Sequence, residues 1–268
     1  MPARLSTSLR ATAGLCLVLI SRGLAPSCEP VAGQVLAGHQ APQPKLYVTE
    51  ERLAAALRQL VAASPSAARV MDALSTSGLE VVMGTPAELA ALPDSEGGPA
   101  PSERNALLAE AGANSSPEEP PIAWVVFRVS APPPDAPAQA LGTVERAWVA
   151  VEADSIELWI RNAGGKDVDW RIDQDFLAVL AHEFVAHVGS IAATRRVEDF
   201  CDDPLTDAEL SDSPEMACSI RVENQVRREL NQALGLKGDR ALPIRTDYSL
   251  EVMNFARAHL AQMQRGGR

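Results

Sequence analysis

Apolar residues recur along this chain at two periods, and the change from one to the other marks out its elements. "KLYVTE" (45–50) and "LEVVMG" (79–84) are short and rich in β-branched residues, which predicts two strands. Between them, "EERLAAALRQLVAA" and "SPSAARVMDALSTSG" carry helical spacing. Thr49 can cap the first of these helices, Ser66 the second, and Gly78 stops it. Three more strands are expected, over "IAWVVFRVS", "ERAWVAVE" and "SIELWIRN". Only "ADS" links the last two, so they are expected to pair as a hairpin. Residues 91–121 are dense in Pro, Gly, Ser and Glu and have the composition of a linker.

Helical spacing returns in "VDWRIDQDFLAVLAHEFVAHVGSIAATRR", where Phe176, Leu177, Leu180, Phe184 and Val188 share a face. Asp173 or Asp175 can cap its start. Two further helices are expected, over "EMACSIRVENQVRRELNQALG" after Pro214 and over "SLEVMNFARAHLAQMQ". The pattern gives an α+β fold: a small mixed or antiparallel sheet, then a histidine-bearing helix, then a helical C-terminal part.

At 268 residues and 46% hydrophobic, the chain can bury a substantial core. Its 24 basic residues against 35 acidic ones give a formal charge of -11, which argues against nucleic acid and against an anionic membrane surface as partners. The N-terminus has the layout of an export signal: Arg4 and Arg10, then an apolar run from Ala13 to Ile20 too short to span a bilayer. Small residues lead to Cys28, the expected lipidation point of a bacterial lipoprotein. The chain thus divides into a signal (1–27), a tether (28–44), an N-terminal α/β segment with its linker (45–121) and a C-terminal region (122–268). The expected location is the cell envelope, held by lipid, or otherwise the periplasm or medium. Removing Cys16 with the signal and assigning Cys28 to lipid leaves Cys201 and Cys218, an even pair in an oxidising compartment. A disulfide between them is expected, two buried thiols being the alternative.

The candidate chemistry lies in "LAHEFVAHVG", where His182, Glu183 and His187 form H-E-x-x-x-H. On a regular helix, residues five apart point about 140° away from each other, so the two rings cannot meet. One extra residue taken up as a π-bulge removes that obstacle. The spacing therefore admits a zinc site only where the helix is distorted; otherwise His182 is a satisfied core histidine. A third ligand must come from another segment. Glu215, in the first turn of the next expected helix, is favoured. Glu223 is the alternative ligand or the carboxylate that orients a histidine. Glu183 is placed to act as general base.

"LAHEFVAHVG" with the later "ENQVRREL" and "LPIR" resembles the bacterial effector-type zinc metallopeptidases, whose second signature is E-N-x-x-R-x-E-L-G-L-P-x-R-x-x-Y. The matching residues are Glu223, Asn224, Arg227, Glu229, Leu230, Leu242, Pro243, Arg245 and Tyr248. "NQALGLKGDRA" interrupts the pattern, and the longer histidine spacing is similar to that of dipeptidyl-peptidase III. The resemblance, over residues 175–248, implies a zincin-like fold, a Zn2+ cofactor, a peptide or protein substrate, and Tyr248 and Arg245 as donors to a developing oxyanion. A strand just before the helix, "ERAWVAVE" or "SIELWIRN", could offer an edge to an extended peptide. Two rivals stay open: a non-catalytic surface lipoprotein with a zincin scaffold, and a zinc hydrolase of a non-peptide amide. The acidic run from Glu198 to Glu215 is expected to be a solvated loop, with calcium binding or repulsion of acidic substrates as alternatives.

Overall fold

Four strands build one sheet, two of its interior strands buried over most of their length, and a two-residue strand pairs at its edge. The computed structural model describes residues 3–4, 44–113, 122–132, 142–165, 167–201 and 218–245. Strands β1 (Ala3–Arg4), β2 (Lys45–Val48), β3 (Glu80–Gly84), β4 (Ala123–Val129) and β5 (Val144–Val151) lie in the order β1-β2-β3-β5-β4. Strands β2, β3 and β5 are parallel, while β1 and β4 are antiparallel to their neighbours, so the sheet is mixed. It draws strands from both sides of residue 121. A largely helical region follows.

The period-two pattern gives the sheet two apolar faces. On one, Leu46, Val48, Val81, Met83, Val149 and Val151 enter the main core with helices α1 (Glu51–Ala63) and α2 (Pro65–Ser77). On the other, Val82, Trp124 and Trp148 meet Leu89 of α3 (Pro86–Ala91) and Leu107 of α4 (Pro101–Ala113). The helix α4 corrects the linker expected over 91–121 as far as Ala113; residues 114–121 lie outside the described residues. The Glu103 carboxylate accepts from the Ala100 N–H at 2.6 Å and pairs with Arg128 of β4 at 2.8 and 2.9 Å. One buried leucine, the Ala100 bond and the pair with the distant Arg128 order α4, whose composition resembles a linker.

A second correction concerns "SIELWIRN", which is helical, within α5 (Ala153–Ala163). Ile156 and Ile160 lie four apart and are both buried, a spacing that a helix satisfies as readily as alternation suits a strand. The antiparallel partner of β5 is therefore β4, with Val126 opposite Trp148. The caps also differ from expectation. Glu50 rather than Thr49 caps α1, and Ser64 rather than Ser66 caps α2, with Pro65 in its first turn.

Helix α6 (Val168–Leu180), a π-helical segment (Ala181–Val188) and α7 (Gly189–Ile191) follow one another without leaving helical geometry. The helix starts earlier than expected: Asp167 precedes its first residue, and Asp175 is buried mid-helix. Helix α8 (Cys218–Ala233) packs against the π segment. Cys28, Glu215, Tyr248 and the expected helix over 249–264 lie outside the described residues. Among the described residues no helix is long and apolar enough to cross a membrane.

Candidate metal centre

Hydrogen bonding from i to i+5 brings residues five apart onto one side of a helix. The π segment spans all of H-E-x-x-x-H. It ends at Gly189, whose N–H reaches the carbonyls of Ala186 and Phe184. The missing side chain matters there: a Cβ on Gly189 would sit 2.8 Å from Cγ2 of Val70 on α2. The two rings meet edge to face with centroids 4.6 Å apart, and their Nε2 atoms are 3.1 Å apart.

The opposite ring nitrogens fix the tautomers. His187 Nδ1 lies 2.6 Å from the Cys201 carbonyl oxygen, which can only accept, so Nδ1 carries the proton. His182 Nδ1 lies 3.0 Å from Oε2 of Glu223. Burial pushes the Glu223 carboxyl up, but Arg227, the His182 hydrogen bond and Arg245 outweigh it and hold it well below the usual carboxylate range. Glu223 is therefore an ionised acceptor, and His182 also donates from Nδ1. A neutral imidazole that donates from Nδ1 carries its lone pair on Nε2. Two lone pairs at 3.1 Å demand a positive centre at the gap, either a metal ion or a shared proton.

A metal ion fits the donor set. Two imidazole nitrogens bound tetrahedrally at about 2.0–2.1 Å lie roughly 3.3 Å apart, close to the separation found. A carboxylate oxygen of Glu183 completes a buried group in which the candidate ligand atoms of His182, Glu183 and His187 all lie within 4.8 Å of one another. All three side chains are buried, so an ion there would be largely shielded from solvent.

Behind His182, Glu223 is held from four directions. Arg227 Nε donates to Oε1 at 2.6 Å, an Arg227 terminal nitrogen approaches the same oxygen at 2.5 Å, and an Arg245 terminal nitrogen donates to Oε2 at 2.7 Å beside the His182 bond. The geometry thus places Glu223 on the Nδ1 side of the ring, in the orienting position. Arg245 belongs to the same buried cluster. Asn224 brackets its backbone, accepting from the Arg245 N–H and donating to the Arg245 carbonyl, both at 2.8 Å. Asn231, seven residues on, does the same to Leu242 at 2.7 and 2.9 Å. Glu229 takes no part in the centre; it accepts from the Ser64 hydroxyl at 2.5 Å and from the Ser66 N–H and hydroxyl at 3.0 and 2.8 Å, at the start of α2.

His187 has its own support. The Cys201 N–H donates to the Ser190 hydroxyl at 3.0 Å, and that hydroxyl donates to the His187 carbonyl at 2.7 Å. Phe200 stacks on the His187 ring with centroids 5.1 Å apart and meets Phe127 of β4 edge-on at 4.8 Å. Cys201 and Cys218 are joined by a disulfide. Ser190, Phe200, the Cys201 carbonyl and Asn231 were not among the sequence candidates. A serine three residues after His187, and an asparagine two helical turns after Asn224, were the available signals; a backbone carbonyl leaves none. Comparison of the chain with protein-family models, curated proteins and solved structures finds no match, so the centre stands on its own geometry.

Proposed function

We propose that the chain is a zinc-dependent metallopeptidase. The observation that carries this is the convergence of the His182 and His187 Nε2 atoms beside the Glu183 carboxylate. In this reading the two Nε2 atoms hold the ion, and Glu215 supplies the third ligand. Glu223, gripped by Arg227 and Arg245, keeps His182 in its ligating tautomer. Zinc, when bound, supplies Lewis acidity toward a water molecule and toward the oxygen of the scissile carbonyl. Glu183 takes a proton from that water as it attacks and returns it to the departing amine.

An extended peptide is expected to lie along the sheet edge nearest the π segment. That edge is β4, since β5 is interior and "SIELWIRN" is helical. We assign Arg245 to holding Glu223 and keep Tyr248 as the candidate oxyanion donor. Export, and a lipid anchor at Cys28, remain part of the proposal.

The test is Glu183→Gln, assayed for metal content and for cleavage of a mixed peptide library. The account expects metal to be retained and cleavage to fall by about 100-fold or more. Loss of the ion in that variant would make Glu183 a ligand, a role its place in the buried group also permits. A wild-type protein that binds metal but cleaves neither peptides nor other amides would favour a binding module on the same scaffold.

A further inference from the structure

The two histidines take their orienting acceptors from different segments. His187 donates to the Cys201 carbonyl, and His182 donates to Glu223 of α8. The Cys201–Cys218 bond joins those segments covalently across 17 positions of sequence, with Cα atoms 5.4 Å apart. Cys218 is the first residue of α8, and Glu223 lies five positions later on the same helix. Cys201 is only 2% exposed and is also held through its N–H by Ser190. One cross-link therefore ties together the two supports that turn both lone pairs toward the same point.

We propose that the Cys201–Cys218 disulfide is a positioning element of the metal centre, so that metal affinity follows the redox state of this pair. The inference rests on the metal-binding reading above. Reduction by a dithiol breaks the S–S bond; two electrons and two protons pass to the protein as two thiols, and the reductant leaves as its own disulfide. The main apolar core, drawn from the sheet, α1, α2 and the histidine helix, does not include the bond. What reduction releases is the restraint on the Cys201 carbonyl, and with it the tautomer and orientation of His187. Groups that orient a ligating histidine typically change metal affinity about 10–100-fold when lost.

The experiment measures Co2+ affinity by competition with a chelator, and the cobalt absorption spectrum, for the oxidised full-length protein and for C201S/C218S. The double variant removes the bond without leaving thiolates that could themselves bind the ion. The expected result is a folded variant, by circular dichroism, with affinity lowered about tenfold or more and an altered cobalt spectrum. Equal affinity and an unchanged spectrum would overturn the proposal. Should the double variant not fold, wild type reduced with a phosphine and blocked at its thiols with iodoacetamide decides the matter, because it lacks the bond and carries no free thiolate. An unchanged spectrum and affinity there overturns the proposal, and a weakened, altered centre supports it. Absence of cobalt from the oxidised wild type would instead overturn the metal-binding reading itself.

Discussion

His182 and His187 stand five residues apart in sequence and bring their Nε2 atoms to 3.1 Å. A regular helix would point them about 140° apart. The π segment from Ala181 to Val188 closes that angle, and the outward nitrogens are fixed by Glu223 and the Cys201 carbonyl. A widened helical turn costs regular hydrogen bonding, and such turns recur at functional sites. Here the distortion has a specific result: it aims two lone pairs at one point.

Glu223 is 1% exposed and pairs with both Arg227 and Arg245, which are about as buried. Glu223→Gln leaves two buried guanidinium groups facing a neutral amide. Breaking a buried pair of this kind costs about 3–5 kcal/mol. The variant is expected to melt well below the wild type, and its remaining folded fraction to bind metal more weakly. Paired thermal unfolding and chelator competition check both effects. A variant of unchanged stability would remove the ion cluster from this account.

Gly189 closes the π segment against α2, with no room for a Cβ beside Val70. Alanine is the better helix former by about 1 kcal/mol, so propensity alone predicts stabilisation by Gly189→Ala. Valine is stiff and branched at the point of contact, and overpacking costs about 1–3 kcal/mol. The expected sign is destabilisation, with a favourable coupling when Val70→Ala is added. A double-mutant cycle in urea measures it, and additive effects would contradict the contact.

Glu229 gives the pH test. Burial raises its carboxyl pKa, but hydrogen bonds from Ser64, Gln225 and Ser66 outweigh that and leave it below the ordinary 4.5. A folded-state pKa below the unfolded value stabilises above the unfolded value, and that stability is lost as pH falls through the folded one. The advantage of wild type over Glu229→Gln is therefore expected to be full at pH 7. It shrinks only as the pH drops below about 4.5 through the lowered value. Comparable helix-start contacts are worth about 1 kcal/mol. Urea titrations from pH 7 to pH 3 follow it; a difference independent of pH would contradict the assignment.

How much of this was legible depended on the range of the interaction. Strands β2 to β5 and helices α1, α2 and α6 announce themselves through local period, and the spacing of His182 and His187 calls for a widened turn if the two rings are to share an ion. "SIELWIRN" was misread because Ile156 and Ile160 fit both periods, and only the neighbouring core chooses between them. Helix α4 was hidden by composition, since its order comes from Leu107 and from the distant Arg128. Glu223 was visible as a candidate, but its side of the ring was not, because Arg245 reaches it from 22 residues away. The Cys201 carbonyl could not be read at all, as every residue carries one.

Metal content tests the central claim most directly. Full-length protein, stripped with a chelator and reloaded with zinc at neutral pH, is measured by elemental analysis beside His187→Ala and Glu215→Ala. The account predicts one ion per folded wild-type chain, none in His187→Ala, and loss in Glu215→Ala. A folded wild-type protein that takes up no metal would contradict it, leaving the 3.1 Å approach of the two imidazoles to a shared proton.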